Sequence, residues 1–261
     1  MIDLELTLLL DKFNCYEFVE DTHQYFWNGC PVDISVTGFI QRYFPKFDFE
    51  NISTKYANKH NLDVEEVRKS WKLKGDIAST SGTIIHSHIE NLKRGKRFEF
   101  DYSTAIQKGI LNEVKERVSI LLPKAEKFHK DTLNKLYPLK LEYTVGLNTK
   151  LAGNVDMLCW NQKAQEIQIW DYKNTKGIQT KNDYYKMCYA PFNFLDDCSY
   201  SHYCMQLNFY KAMIERELNL PIGKMYLVSF DYTQPGDSYC MYECIDLQNI
   251  CRKELDILDG R

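Results

Sequence analysis

The chain has 261 residues, of which 44% are hydrophobic and 26% are charged, and its formal net charge is −3. This composition is typical of a globular protein and excludes fibrous and intrinsically disordered classes. The small negative charge does not indicate a nucleic-acid-binding protein, although a local basic groove or a bound metal would still attract phosphate.

The sequence also predicts where the protein is found. No apolar run reaches the roughly 18 residues that a membrane span requires, and Asp3 and Glu5 stand where a signal peptide would carry basic charge. The nine cysteines are an odd number spread along the chain, which favours reduced intracellular thiols over a disulfide framework. We therefore expect a soluble, cytoplasmic protein without membrane contact.

The N-terminal part is predicted to contain a β-hairpin followed by helices. Residues 16–36 alternate between apolar and polar, and Asn28-Gly29 is a pair favoured in type I′ hairpin turns, because both central residues need positive φ. Two stretches between residues 35 and 79 carry apolar residues at helical intervals. These elements make up the first predicted part of the chain, residues 1–75.

Further helices are predicted before the β-rich region. One begins at the small, cap-forming residues 79–83 and places His86 and Glu90 on one face, because they are four positions apart. Residues 103–136 form another amphipathic helix, which Pro123 either kinks or divides in two.

Three short strands are predicted between residues 139 and 174, and they carry the charged residues of most interest. The last strand ends in Asp171-Tyr172-Lys173, and Asp156 lies in the strand before it. Residues two apart in a strand face the same side, so Asp171 and Lys173 project together. If the two strands pair, two carboxylates and one ammonium group converge on one point.

The C-terminal region reads as a helix, a hairpin and a final helix, and it completes a second predicted part, residues 76–261. The predicted helices span residues 201–221 and 247–258, and the predicted strands span residues 224–232 and 238–247.

The converging charges indicate metal-assisted chemistry. Carboxylate oxygens with room for water are the ligands that Mg²⁺ or Mn²⁺ takes, and an imidazole from His86 would shift the preference modestly toward Mn²⁺. Such a metal would polarise a phosphodiester, while the lysine would orient or deprotonate the attacking water and stabilise the pentavalent state. The residues thus predict phosphodiester hydrolysis.

Four short motifs follow one another in a fixed order. They are Gly82-Thr83 with His86, Gly153 with Asp156, Asp171-Tyr172-Lys173, and Gln206 with Tyr210. This order resembles the RecB-like exonuclease branch of the PD-(D/E)XK nucleases, the branch that includes the mitochondrial genome maintenance exonuclease. The resemblance covers about residues 35–230, and no motif extends it to the C-terminal hairpin and helix.

The resemblance implies an α/β fold with a restriction-endonuclease-like core. In that core a small mixed sheet is flanked by helices, and the N-terminal hairpin and helical lobe precede it. It implies catalytic roles for Asp156, Asp171 and Lys173. It also implies a metal bound by His86, Asp156, Asp171 and the carbonyl of Tyr172.

Four other residues have supporting roles in this interpretation. Gln206 and Tyr210 support the site or contact DNA. Glu142 lies where many relatives carry another acid. Glu90 is either a partner of His86 or a solvated helix acid.

The implied function is a Mg²⁺- or Mn²⁺-dependent DNA exonuclease that acts on single strands or DNA ends in replication, recombination or repair. The nearest alternative is an endonuclease of the same superfamily. A non-catalytic DNA-binding or assembly module on the same fold is the other, although binding alone does not need the two acids and the lysine.

The cysteines suggest one rival arrangement. Some relatives bind a [4Fe–4S] cluster, and Cys240, Cys244 and Cys251 with Cys15 or Cys30 faintly resemble that plan. Their spacing differs, and ordinary buried thiols explain them. We therefore do not expect an iron–sulfur cluster.

Overall fold

The computed structural model describes residues 4–260 and contains a three-stranded and a five-stranded sheet. The strands are β1 (Tyr16–Val19), β2 (Gln24–Trp27), β3 (Cys30–Pro31), β4 (Tyr137–Leu147), β5 (Leu151–Asn161), β6 (Glu166–Asn174), β7 (Met225–Phe230) and β8 (Cys240–Glu243). The α-helices are α1 (Leu4–Leu10), α2 (Val36–Ile40), α3 (Phe49–His60), α4 (Val64–Lys93), α5 (Ser103–Gln107), α6 (Leu111–Asp131), α7 (Ser199–Leu218) and α8 (Gln248–Asp259).

The five-stranded sheet has the order β4-β5-β6-β7-β8. Neighbouring strands are antiparallel except for β6 and β7, which are parallel. Parallel neighbours need a long crossover connection, and α7 lies in the one that joins β6 to β7. The mixed sheet expected from the sequence is therefore confirmed.

Helices cover both faces of this sheet. Along β6, Ile167 and Ile169 pack in a core shared with α7 and α8, whereas Trp170 and Tyr172 pack in a second core shared with α4 and α6. Successive strand residues point to opposite faces, so one strand supplies both cores. The expected α/β architecture is confirmed, and the strand that carries Asp171 is buried on both sides.

The N-terminal hairpin is also confirmed. β2 and β3 pair with Trp27 opposite Cys30, which leaves Asn28 and Gly29 as a two-residue turn with φ of 48° and 76°. Positive φ at both positions is what a type I′ turn requires. β1 pairs with β2 and adds a third strand.

The helix expected to begin at residues 79–83 is instead the second half of α4, a 30-residue helix. The prediction of a helix start there is wrong, because these residues lie inside a continuous helix, in which Ser81 Oγ donates to the carbonyl of Ile77 at 2.7 Å. The true cap is Asp63, whose side chain accepts from the amide of Glu66. The proposed division after residue 75 falls within this helix.

Pro123 lies inside α6 and does not end it. The predicted helix over residues 103–136 is divided instead near Gly109, which has a φ of 67° and separates α5 from α6. Glycine adopts this left-handed conformation without steric cost.

The C-terminal strands pair antiparallel, with Tyr226 opposite Glu243, and α8 follows them. β8 is shorter than the predicted strand over residues 238–247. None of the helices in the described part of the chain has the length and apolar character needed to cross a membrane.

Candidate metal centre and active site

A cleft of about 780 Å³ brings α4, the five-stranded sheet and the N-terminal region together. Its lining includes Phe18, His23, Gly82, His86, Glu142 and Lys173. The hairpin region therefore forms one wall of the cleft, and we call this space the metal cleft.

His86 projects from α4 toward strands β4, β5 and β6. Its Nε2 lies 3.0 Å from the carbonyl oxygen of Tyr172, and its Nδ1 lies 3.5 Å from Asp156 Oδ2 and 3.9 Å from Glu142 Oε1. Burial lowers the pKa of His86, but the two carboxylates outweigh burial and raise that pKa to about 9. Asp156 and Glu142 thus favour a positive charge at this position.

Asp156 and Glu142 meet where the pairing of β4 with β5 is interrupted. Leu141 pairs with Met157 and Tyr143 pairs with Val155, but the two acids between them are not paired. Glu142 has a φ of 48°, which is uncommon for a residue inside a strand. Strained backbone of this kind persists where the surroundings hold it, often at functional sites. Here the strained residue is Glu142, which lines the metal cleft.

Neighbouring groups hold both carboxylates in place. Asp156 Oδ2 accepts a hydrogen bond from the amide of Tyr172 at 2.7 Å. Asn154 Nδ2 donates to Glu142 Oε2 at 2.5 Å, and Thr144 Oγ1 donates to Asn154 Oδ1 at 3.1 Å. This chain of hydrogen bonds orients Glu142, and neither Asn154 nor Thr144 was singled out from the sequence.

Asp171 and Lys173 lie next to each other on β6, as the strand period predicts. Lys173 Nζ is 2.6 Å from Asp171 Oδ2, and Asp171 is only 2% exposed. Burial raises the pKa of Asp171 to about 6, although Lys173 opposes the increase. Burial lowers the pKa of Lys173, but Asp171 and Asp156 outweigh it, so the net shift is upward and the amine stays charged.

Lys173 also contacts an aromatic ring that sequence reasoning missed. Its Nζ lies 4.8 Å from the ring centroid of Tyr203, which projects from α7 and lines the metal cleft. A cation is attracted to the face of such a ring within about 6 Å. Tyr203 stands three positions before Gln206, so helical spacing could have indicated it.

Within the described residues, one group of three side chains could hold a metal ion: His86, Glu142 and Asp156, whose ligand atoms lie within 4.8 Å of one another. Two carboxylates and an imidazole form a donor set that suits Mg²⁺ or Mn²⁺. The residues present therefore fit the implied metal.

The group of three is not identical to the ligand set that the resemblance implies. Asp171 is not part of the group of three, and its Oδ2 contacts Lys173 Nζ. The carbonyl oxygen of Tyr172 contacts His86, another member of the implied set. Glu142, given a supporting role from the sequence, stands beside His86 and Asp156.

Gln206 and Tyr210 support the site from α7. Gln206 Nε2 donates to the hydroxyl of Tyr210 at 2.7 Å, and Tyr210 is 2% exposed. A Cβ at Gly153 would lie 2.5 Å from Tyr210 Cε1, closer than carbon atoms approach. The glycine of the Gly-x-x-Asp motif therefore lets the Tyr210 ring rest on β5, three residues before Asp156.

Glu90 lines the cleft but is paired with Arg94, whose Nη2 lies 2.6 Å from its carboxylate. No side-chain hydrogen bond or ion pair joins Glu90 to His86 among the described residues, although both lie on one face of α4. Of the two roles considered from the sequence, the geometry favours that of a helix acid in contact with solvent.

Comparison with curated proteins gave no match. Among solved structures, one titled "Crystal structure of SSO0001" is 14% identical over 98% of this chain and 84% of that chain, with a TM-score of 0.29. That likeness is too weak to support an argument.

The family comparison covers the part of the metal cleft that carries its charged site residues. The model for the PD-(D/E)XK nuclease superfamily matches residues 54–249, which include His86, Asp156, Asp171 and Lys173. Nucleic acid is accordingly the expected substrate, and a divalent metal the expected cofactor. The acid, acid and lysine set, the flanked mixed sheet and this match agree, and the chain belongs to the PD-(D/E)XK nuclease superfamily.

Proposed function

We propose that the protein is a Mg²⁺- or Mn²⁺-dependent deoxyribonuclease, and that it acts as an exonuclease on single-stranded DNA or on DNA ends. One observation carries the proposal: the group of His86, Glu142 and Asp156 and the pair of Asp171 and Lys173 line or adjoin one cleft. Binding of DNA alone would not need this combination of charges.

The chain's own residues have separable tasks in this mechanism. A divalent cation held by His86, Glu142 and Asp156 would polarise the phosphodiester and lower the pKa of a water molecule. The motif resemblance implies the Tyr172 carbonyl and Asp171 as further ligands, and in this structure these two groups contact His86 and Lys173. Asn154 orients Glu142, and the Tyr172 amide orients Asp156.

Lys173 acts as a fixed positive charge. Its raised pKa keeps the amine protonated, so it donates hydrogen bonds to the attacking water or to the phosphate oxygens as negative charge develops there. Asp171 and the Tyr203 ring hold the ammonium group in position. A preorganised donor of this kind favours the transition state over the ground state.

Two observations support single strands as the substrate. Tyr184 and Tyr185 are 82% and 91% exposed on the segment between β6 and α7. Asn182 Oδ1 accepts from the amide of Tyr184 at 2.8 Å, which orders this turn. Exposed aromatic rings on an ordered turn stack on unpaired bases.

The RecB-like branch, and with it a role in replication, recombination or repair, belongs to the same proposal. Its support is the order of the four motifs and their meeting at one site. An intracellular location is supported by the nine cysteines, all of which are free. The N-terminal part, residues 1–75, is proposed as a wall over the substrate.

A cleavage assay tests the proposal. Purified protein is incubated with end-labelled linear DNA, single- or double-stranded, with circular single-stranded DNA and with linear RNA. Each substrate is tested with Mg²⁺, with Mn²⁺ and with EDTA. We expect metal-dependent shortening of linear DNA and no cleavage of circles.

Two variants complete the assay. Lys173→Ala should reduce cleavage by about 10²–10³-fold. Lys163→Ala, which changes an exposed lysine in the turn after β5, is the matched control. Cleavage in EDTA, or equal cleavage by Lys173→Ala, contradicts the mechanism. Cleavage of circles indicates an endonuclease, and binding without cleavage of any substrate indicates a non-catalytic module.

A further inference from the structure

Asn174, the last residue of β6, follows Lys173 directly and has an unusual side chain. Both its Nδ2 and its Oδ1 are buried, and neither has a hydrogen-bond partner among residues 4–260. A buried amide without partners destabilises a folded protein, so such a group calls for an explanation.

The position of Asn174 suggests an explanation for its unpartnered amide. It lines the metal cleft and also a second cavity of about 1040 Å³, and both spaces share Ala78, Asn174 and Thr175 in their walls. We call the second space the side cavity. Asn174 thus lies at the boundary between the metal cleft and a neighbouring space that a bound strand could enter.

The side cavity has suitable chemistry for a nucleotide. Lys74, Arg117 and Lys176 line it, together with Glu113 and Glu116. Arg117 lies over the ring of Tyr232 at 3.4 Å from the centroid, also in this cavity. Cationic groups beside aromatic surface are what a nucleic-acid strand meets in a binding groove.

A glycine of α4 leaves space beside the amide. A Cβ at Gly82 would lie 3.5 Å from Asn174 Nδ2 and would meet nothing else within 4 Å. Glycine stabilises a helix less than alanine does. Gly82 therefore weakens α4 at the position where a side chain would face Asn174. The unpartnered amide and the missing side chain are independent observations about one place.

We propose that Asn174 binds the nucleotide that passes from the metal cleft into the side cavity. The carboxamide has two donor hydrogens and one acceptor oxygen, and a small side-chain rotation beside Gly82 would turn them toward the substrate. A phosphate oxygen would use the donors alone, whereas the edge of an unpaired base would use donor and acceptor together. This inference rests on the proposed nuclease function and assigns a substrate-binding residue to it.

The test compares Asn174→Leu, which keeps the approximate shape without polar atoms, with the wild type. We expect KM for a labelled single strand to rise by about tenfold, as the loss of one or two hydrogen bonds predicts. The Tm of the metal-free protein should rise or stay the same, since an unsatisfied buried group has been removed. Mn²⁺ affinity should not change. Asn58→Leu, at an exposed position of α3, is the matched control.

Gly82→Ala is a second variant, and it tests the inference without changing Asn174 itself. It should raise Tm by a few degrees through helix propensity, yet raise KM, because its methyl group fills the space beside the amide. A structural role for Asn174 predicts the opposite pattern, in which Asn174→Leu lowers Tm and leaves KM unchanged. That pattern would overturn the inference.

Substrates with one abasic site at successive positions identify the partner. If the base edge is bound, an abasic site at one position raises the wild-type KM to that of Asn174→Leu. If a phosphate is bound, abasic sites have no such effect, and the variant alone raises KM.

Fluorescence anisotropy with a single strand in Ca²⁺ separates the two proposals. If the wild type binds the strand in Ca²⁺ but does not cleave it when Mg²⁺ or Mn²⁺ is supplied, the nuclease function fails while weaker binding by Asn174→Leu still supports the inference. Equal binding by wild type and variant, or no binding by the wild type, overturns it.

Discussion

Lys173 Nζ lies 2.6 Å from Oδ2 of Asp171, two positions earlier on β6. The carboxylate is buried and the ammonium group reaches the metal cleft. Since removal of one member of a buried ion pair leaves the other charge without a partner, the catalytic role proposed for Lys173 and the stability of the strand are coupled.

This pair predicts the behaviour of Lys173→Met. Cleavage should fall by about 10²–10³-fold, the effect of removing one preorganised donor. The free energy of unfolding should fall by roughly 3 kcal/mol, because Asp171 is left buried and unpaired. In Asp171→Asn/Lys173→Met part of the stability should return without activity. Urea unfolding measures this, and a double variant less stable than Lys173→Met contradicts the account.

The proposed metal ligands predict a second result. Glu142→Gln and Asp156→Asn should each weaken Mn²⁺ binding by at least about tenfold, since each removes a charged oxygen ligand. Glu90→Gln should bind Mn²⁺ as the wild type does, because Glu90 pairs with Arg94. Isothermal titration calorimetry measures all three, and wild-type affinity in Glu142→Gln would remove that residue from the ligand set.

The contact of Gly153 with Tyr210 predicts a loss of stability. A Cβ in Gly153→Ala would lie 2.5 Å from Tyr210 Cε1, so the ring or β5 must move, at a cost of about 1–3 kcal/mol. Gly75→Ala is the matched control, because a Cβ there meets nothing within 4 Å. It should stabilise α4 by up to about 1 kcal/mol. Equal effects of the two substitutions on urea unfolding would be inconsistent with the packing described.

The cysteines predict a labelling pattern. Burial raises the pKa of Cys159 and of Cys188 to about 12, and the thiolate is the reactive form. At pH 8 iodoacetamide should therefore modify the exposed Cys30 and Cys240 and leave these two unmodified until the protein unfolds. Peptide mass spectrometry reads this out. Protection of Cys240 together with visible absorbance and bound iron would instead support an iron–sulfur protein.

The sequence predicted those features that local spacing determines. The strand period placed Asp171 with Lys173, the Asn28-Gly29 pair located the turn, and helical spacing set Gln206 beside Tyr210. Motif order placed His86 and Asp156 at one site, although no spacing rule joins residues 70 positions apart.

Other features depend on tertiary contacts that no local pattern contains. The start of α4 was misplaced because serine and threonine resemble cap residues even where, as at Ser81, they bond within a helix. The left-handed backbone at Glu142 interrupts a strand that reads as regular. The isolation of the Asn174 amide can be seen only once its surroundings are known.

The most direct test of the central claim follows metal binding and cleavage together. EDTA-treated protein is titrated with Mn²⁺ while cleavage of a labelled linear single strand is measured, with Asp156→Asn in parallel. The account predicts that activity appears over the same Mn²⁺ concentrations at which calorimetry detects binding, and that Asp156→Asn loses both. Cleavage before any Mn²⁺ is added, or full activity in Asp156→Asn, would contradict it.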